Sequence, residues 1–182
     1  MNSRKWKTVS ERKAGDFRIF SMREVTAESP RTGKHHSFFL LDGSDWINVI
    51  AVTTNQMLVV VKQYRFGTSE FELEIPGGIM EKGESPTEAG VRELKEETGY
   101  TGINPEYLGY VDPNPAFQTN KCHTILIQNC EKVDNQNLDP GEDIKVEIIS
   151  EEDFQKHIDT GTVRHSLVLS AFRLYDIYKK SN

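Results

Sequence analysis

Glu93, Glu96 and Glu97 fall within a short segment whose boundary signals spell a helix. Ser85 stands where an N-cap is needed, Pro86 takes the first helical position, and Glu88, three residues after Ser85, completes a capping box. Gly99 closes the segment as a left-handed C-terminal cap. Spacings of three and four place the three carboxylates beside one another. They also sit at the negative end of the helix dipole, where each anion costs about 0.3 to 1 kcal/mol before mutual repulsion is counted. Sequence choices that oppose local physics are expected at functional sites, and a bound hard cation is the simplest compensation. Carboxylates gathered without His or Cys favour Mg²⁺, Mn²⁺ or Ca²⁺ over zinc or copper. The plainer alternative is a solvated acidic face with Arg92 and Lys95 as ion-pair partners. Thr87, Gly90, Val91, Leu94 and Thr98 share another face, which is expected to pack on a sheet.

The wider spacing weighs against the solvated face. From Gly78 the chain runs five residues to Glu84, then seven more to Arg92-Glu93-Leu94-Lys95-Glu96-Glu97-Thr98-Gly99-Tyr100. This resembles the Nudix box, GX5EX7REUXEEXGU with U a bulky aliphatic residue, departing from it only in Tyr100 at the last position. With fixed letters at ~5 to 8% average usage each, a chance match falls below roughly one in ten million per position. The resemblance implies a metal-dependent hydrolase on an α/β/α sandwich with a mixed sheet. It implies Glu93 and Glu97 as principal ligands of Mg²⁺ or Mn²⁺, Glu96 as an additional one, and the Gly77 carbonyl completing the shell. Arg92 would orient these carboxylates and Glu84 would hold Arg92, while Gly77 and Gly78 would let the chain turn tightly beside the ions. Family members draw a general base or a further ligand from a loop beyond the box. Residues 138–144, Leu-Asp-Pro-Gly-Glu-Asp-Ile, resemble that loop and nominate Glu142 as base or ligand.

Residues outside the box bear on the substrate. The stretch Gln63-Tyr64-Arg65-Phe66-Gly67, followed by Phe71-Glu72-Leu73-Glu74-Ile75-Pro76, resembles the approach to the box in the branch that cleaves ADP-ribose and other nucleoside diphosphate sugars. There Arg65 would contact a substrate phosphate, and Glu74 would position the sugar or a loop of a second subunit. Pro115 lies near that branch's signature proline, fifteen residues past Tyr100. Phe38 and Trp46 are candidates to stack on the base, with ordinary core packing as the alternative. The implied reaction is cleavage of the pyrophosphate, foremost of ADP-ribose to AMP and ribose 5-phosphate. GDP-mannose, other nucleotide sugars, nucleoside triphosphates and dinucleotides are the alternative substrates. A ligand-sensing regulatory module and a purely structural Ca²⁺ site are the readings from other classes; the retained box glutamates speak against the first, and absence of phosphate release would mark the second.

These residues need a scaffold. Strands are expected over residues 17–25, 37–41, 46–52, 57–62 and 71–75 before the helix, and over 109–111, 123–129 and 144–149 after it. A short helix capped by Ser150 reaches residue 157, and a longer amphipathic one covers 166–179. Strands, helix, strands, helices in this order point to an α/β fold, a mixed sheet covered on its faces. At 182 residues the chain fits one domain with a terminal extension: residues 1–45 as a strand extension, resembling the one through which this branch forms swapped homodimers, and 46–182 as the hydrolase domain. A net charge of −6 argues against a general nucleic-acid binder. Two cysteines without metal spacing indicate neither a disulfide framework nor a zinc site. The charged start without an apolar stretch, and a longest hydrophobic run of only residues 57–61, point to a cytoplasmic protein with no membrane partner. The five histidines show no metal spacing and carry no role in this reading.

Overall fold

A computed structural model describes residues 5–181; the charged start at residues 1–4 and Asn182 lie outside the described residues. The chain divides into two compact units, one running to Ser44 and including Asp112–Lys121, the other comprising Asp45–Val111 and the chain from Cys122 onward.

The first unit is an antiparallel sheet in the order β1 (Lys7–Phe17), β2 (Phe20–Glu28), β3 (His35–Gly43). Two strands had been expected here. Strand β1 lies outside that expectation because its residues are mostly polar and nearly all exposed, so no apolar alternation betrays it. Pairing with β2 makes it a strand, and the two meet at a tight turn with Arg18 at φ 47°. Residues 114–119 rejoin this unit through Leu41, whose N–H donates to the Phe117 carbonyl at 2.7 Å.

The second unit holds β4 (Trp46–Thr53), β5 (Met57–Arg65), β6 (Glu70–Glu74), β7 (Gly77–Ile79), α1 (Pro86–Thr98), β8 (Tyr100–Val111), β9 (Cys122–Lys132), β10 (Ile144–Ser150), α2 (Glu151–Asp159) and α3 (Ser166–Ser181). Its mixed sheet runs β10-β5-β4-β9-β8, with β4 parallel to β9, β6 paired to β5, and β7 paired to the start of β4. Side chains alternate across the central strands. Ile50, Val52, Leu58, Val60 and Leu126 meet Phe154, Val168, Ala171 and Phe172 of α2 and α3. Ile47, Val49, Ala51, Val59, Ile125 and Ile127 meet Ala89 and Leu94 of α1. Helices thus cover both faces of one sheet, an α/β/α sandwich. No helix among the described residues is long and apolar enough to cross a membrane.

Two elements exceed the expectation. β8 begins at Tyr100 rather than near Gly109, although Gly102, Asn104 and Pro105 read as a turn. It lies at the sheet edge and is broken by register shifts, where proline and irregular backbone are tolerated. β7 contains Gly77 and Gly78, expected to form a turn. Both are extended strand residues, and glycine is required there by close approach: a Cβ on Gly77 would lie 2.2 Å from the Ile47 carbonyl oxygen.

Candidate active site

Helix α1 has the boundaries its sequence indicates. Ser85 accepts from the Glu88 N–H, the Glu88 side chain accepts from the Ser85 N–H, and Gly99 closes the helix at φ 75°. The buried stripe is rotated from the expected one. It comprises Ala89, Gly90, Glu93, Leu94, Glu97 and Thr98, while Thr87 and Val91 are only half-buried. The rotation follows from β7, whose glycines let two glutamates lie directly against backbone. The Gly77 N–H donates to Glu97 Oε2 at 3.0 Å, and a Cβ on Gly78 would stand 2.4 Å from Glu93 Oε1. The group of Gly77 seen engaged with a box carboxylate is therefore its amide.

Arg92 organises the remaining carboxylates. Its Nε and Nη2 donate to the two Glu84 oxygens at 2.9 Å each, and Nη1 donates to Glu93 at 2.9 Å and Glu96 at 3.0 Å. Nη2 also reaches the Ile79 carbonyl at 3.2 Å, which ties the loop before α1 to the helix. Lys95 lies 4.0 Å from Asp134 and plays no part in this network.

Glu97 is only 3% exposed. Burial, helped by the charges of Glu93 and Glu142, pushes its carboxyl up to about 8 against the opposing pull of the Gly77 amide and Arg65. Burial likewise raises Glu93. A carboxylate this dry is not part of a solvated acidic face. Glu142 is exposed at the end of a turn, where it accepts from the Asp139 N–H at 2.9 Å. It lies close enough to act on both glutamates through its charge. The preceding loop is fastened to the end of α1: Gln136 Nε2 donates to the Glu97 carbonyl at 2.7 Å and to the Ile144 carbonyl at 2.9 Å, and the Asn137 N–H donates to the Glu96 carbonyl at 2.8 Å.

Across the sheet edge, Arg65 binds Glu74 bidentately, Nε to Oε1 at 2.6 Å and Nη2 to Oε2 at 2.8 Å. Glu74 is 2% exposed. Burial alone would raise its carboxyl, but the Arg65 hydrogen bonds and the approach of His165 prevail and hold it down to about 2. Arg65 and Glu97 influence each other electrostatically, the cation favouring the charged form of the carboxylate. Trp46 is half-buried at the start of β4, opposite Ile79 of β7. Phe38 and Pro115 belong to the first unit. Phe38 is edge-on to Trp6 at 5.3 Å and Pro115 is exposed.

Two histidines given no role hold carboxylates. His123 places Nε2 3.1 Å from Asp45 and Nδ1 3.0 Å from the Tyr107 hydroxyl, and His165 Nδ1 lies 3.1 Å from Glu74. Gln136 and Asn48 were also passed over; Asn48 Nδ2 donates to the Leu167 carbonyl at 3.1 Å and pins α3 to β4. Of these contacts, those of His123 with Asp45, His165 with Glu74 and Asn48 with Leu167 join positions far apart in the chain, where no spacing signal exists. His123 and Tyr107, and Gln136 and Ile144, are nearer in sequence, but only the folding of β8, β9 and the following loop brings them together.

Among the described residues no three acidic, His or Cys side chains converge as a finished metal-ligand set, because Arg92 draws Glu93 and Glu96 to itself. The donor chemistry nevertheless fits a hard divalent cation. The candidate ligands are all carboxylate oxygens, Glu97 is buried where its charge is costly, and the space beside Glu93 is kept clear by the missing Cβ of Gly78.

A mixed sheet between helices, carrying an arginine-organised carboxylate helix on one face, is the architecture of a phosphoanhydride hydrolase. The NUDIX domain family matches residues 45–172. The chain is 28% identical to the ADP-ribose pyrophosphatase of Bacillus subtilis over 90% of its own length and 88% of that protein's. It is 35% identical to the ADP-sugar pyrophosphatase of Mus musculus over 46% of its length and 40% of that protein's. A crystal structure of an ADP compounds hydrolase superposes with a TM-score of 0.85 at 19% identity, covering 98% of this chain and 96% of the other, which establishes the shared fold. The chain belongs to the Nudix family and is a Nudix hydrolase.

Proposed function

We propose that this chain hydrolyses the pyrophosphate linkage of nucleoside diphosphate sugars, with ADP-ribose as substrate and AMP and ribose 5-phosphate as products. The observation that carries this reading is Glu97, a carboxylate 3% exposed beside Glu93 and within electrostatic reach of both Glu142 and Arg65. The similarity to an ADP-ribose pyrophosphatase along nine-tenths of the chain supports the substrate.

Glu93, Glu96 and Glu97 would hold the divalent cation, Mg²⁺ or Mn²⁺, with the Gly77 carbonyl as a further ligand. Bound there, such an ion neutralises pyrophosphate oxygens and lowers the pKa of water. Arg92 keeps Glu93 and Glu96 in place by direct hydrogen bonds, and Glu84 keeps Arg92. Glu142 takes the proton from the attacking water, since it is exposed to solvent yet carried on a loop fastened to the end of α1. The water oxygen forms a bond to one phosphorus, the bridging P–O bond breaks, and the leaving phosphate departs with its electron pair. Arg65 contacts a substrate phosphate, and Trp46, half-buried at the start of β4, contributes to the nucleotide subsite. The first unit exposes Val9, Phe38 and Phe39, apolar side chains that we assign to a second copy of the chain in a homodimer.

The test is a panel of nucleotide sugars, nucleoside triphosphates and dinucleotides incubated with Mg²⁺ or Mn²⁺, with products resolved by chromatography. AMP and ribose 5-phosphate from ADP-ribose at the highest kcat/KM is the expected result. A clear preference for GDP-mannose, triphosphates or dinucleotides would replace the substrate, and cation uptake without any phosphate-bond cleavage would overturn the enzymatic reading. Light scattering of the purified chain reads the homodimer.

A further inference from the structure

The chain just before α3 reaches back to β6 with two consecutive residues. Arg164 pairs with Glu70 at one end of that strand, and His165 Nδ1 lies 3.1 Å from Glu74 Oε2 at the other. Glu74 is thereby held from two sides, by the Arg65 fork and by the His165 ring. The imidazole nitrogen is itself shut off from solvent and faces the Glu74 carboxylate, although its approach falls outside good hydrogen-bond alignment. Arg65 spends Nε and Nη2 on Glu74, which leaves Nη1 for a ligand. The start of α3 cannot drift, because Asn48 of β4 binds the Leu167 carbonyl in the buried interior.

We infer that His165 is a positioning residue for the substrate phosphate: it fixes the Glu74 carboxylate and through it the plane of the Arg65 guanidinium, so that Nη1 is presented to the ligand. A guanidinium is a planar fork, and a bidentate carboxylate sets its plane. Glu74 could tilt if only Arg65 held it, since both would rotate as a pair. A second contact from a different element removes that freedom. Ordering Arg65 before the ligand arrives lowers the cost of binding rather than the barrier to bond cleavage. This inference rests on the proposed assignment of Arg65 to a substrate phosphate.

The test compares His165→Ala, His165→Asn and Arg164→Ala in the full chain with ADP-ribose and Mg²⁺. His165→Ala should raise KM about tenfold and change kcat less than about twofold, the size expected when a buried carboxylate loses one of its polar neighbours. His165→Asn sets an amide N–H near the place of Nδ1 and should restore KM to within about threefold, whereas Arg164→Ala, which cuts only the exposed Glu70 pair, should leave KM unchanged. On an Arg65→Ala background, His165→Ala should add less than about twofold. Equal effects of His165→Ala with and without Arg65, failure of Asn to rescue, or an effect on kcat alone would each overturn the inference. Should the wild-type chain cleave no nucleotide sugar, the substrate reading falls separately. The same variants are then compared by calorimetry with inorganic pyrophosphate and Mn²⁺, where a loss of affinity in His165→Ala rescued by Asn supports the positioning role and unchanged affinity refutes it.

Discussion

Replacing Glu97 by Gln should stabilise the metal-free protein above neutral pH but not near pH 5, the difference growing as pH rises. Glu97 titrates near 8 in the folded chain against an ordinary 4.5, because burial disfavours its charged form. A raised carboxyl favours the folded state only while it keeps its proton. As pH climbs through the window between the two values the unfolded chain releases that proton first, and folding is weakened. At about 1.4 kcal/mol per pH unit, the penalty is about 1 kcal/mol near pH 5 and approaches ~4 kcal/mol near pH 7.5. Gln keeps an acceptor for the Gly77 N–H but buries amide protons without partners, an offset of about 1 to 3 kcal/mol that does not vary with pH. The stability difference between variant and wild type, measured by urea unfolding in the presence of a chelator, should therefore widen by about 3 kcal/mol between those two conditions. Saturating Mg²⁺ or Mn²⁺ should abolish or reverse the difference, since the ion stabilises the ionised carboxylate of the wild type alone. Parallel pH–stability curves for the two proteins would show that Glu97 is not the desolvated group described above.

Three further outcomes bear on the same site. Glu142→Gln should lower kcat by ~10²- to 10⁴-fold while moving KM only a few-fold, and steady-state kinetics showing equal losses in both would remove Glu142 from the role of base. Gly78→Ala drives a methyl to within 2.4 Å of Glu93 Oε1 and should displace that carboxylate, weakening Mn²⁺ affinity in calorimetry by roughly tenfold or more; unchanged affinity would exclude Glu93 as a ligand. Glu74, held near 2, contributes stability that is complete above its ordinary 4.5 and is lost as pH falls from there toward 2, an amount of about 3 kcal/mol. Arg65→Ala should flatten that acid limb in a chemical-denaturation series, and an unchanged limb would contradict the pairing.

The parts of this protein that could be read directly are those whose physics is local. The capping box at Ser85 and Glu88, the proline at position 86 and the glycine after Thr98 each act within one helical turn, so α1 was legible to its ends. Strands β4, β5 and β9 were legible because both of their faces are buried and their residues are apolar or β-branched. By contrast β1 is polar and exposed, β7 is built on glycines, and β8 carries turn residues through an edge strand. Each becomes a strand only because a partner strand supplies its hydrogen bonds.

The same division runs through the site. Residue types and spacing alone determined that Glu93, Glu96 and Glu97 form one patch, because a helix places residues three and four apart on one side whatever surrounds it, and the resemblance to the Nudix box added Arg92 and Glu84. Which of these carboxylates is dry was decided by the tertiary structure. The glycines of β7 press backbone against Glu93 and Glu97 and leave Glu96 toward solvent. So too was the commitment of Glu74 to Arg65 and His165, and the arrival of Glu142 beside the helix end. Burial and long-range pairing depend on what the rest of the chain brings near, and no spacing along the sequence encodes that distance.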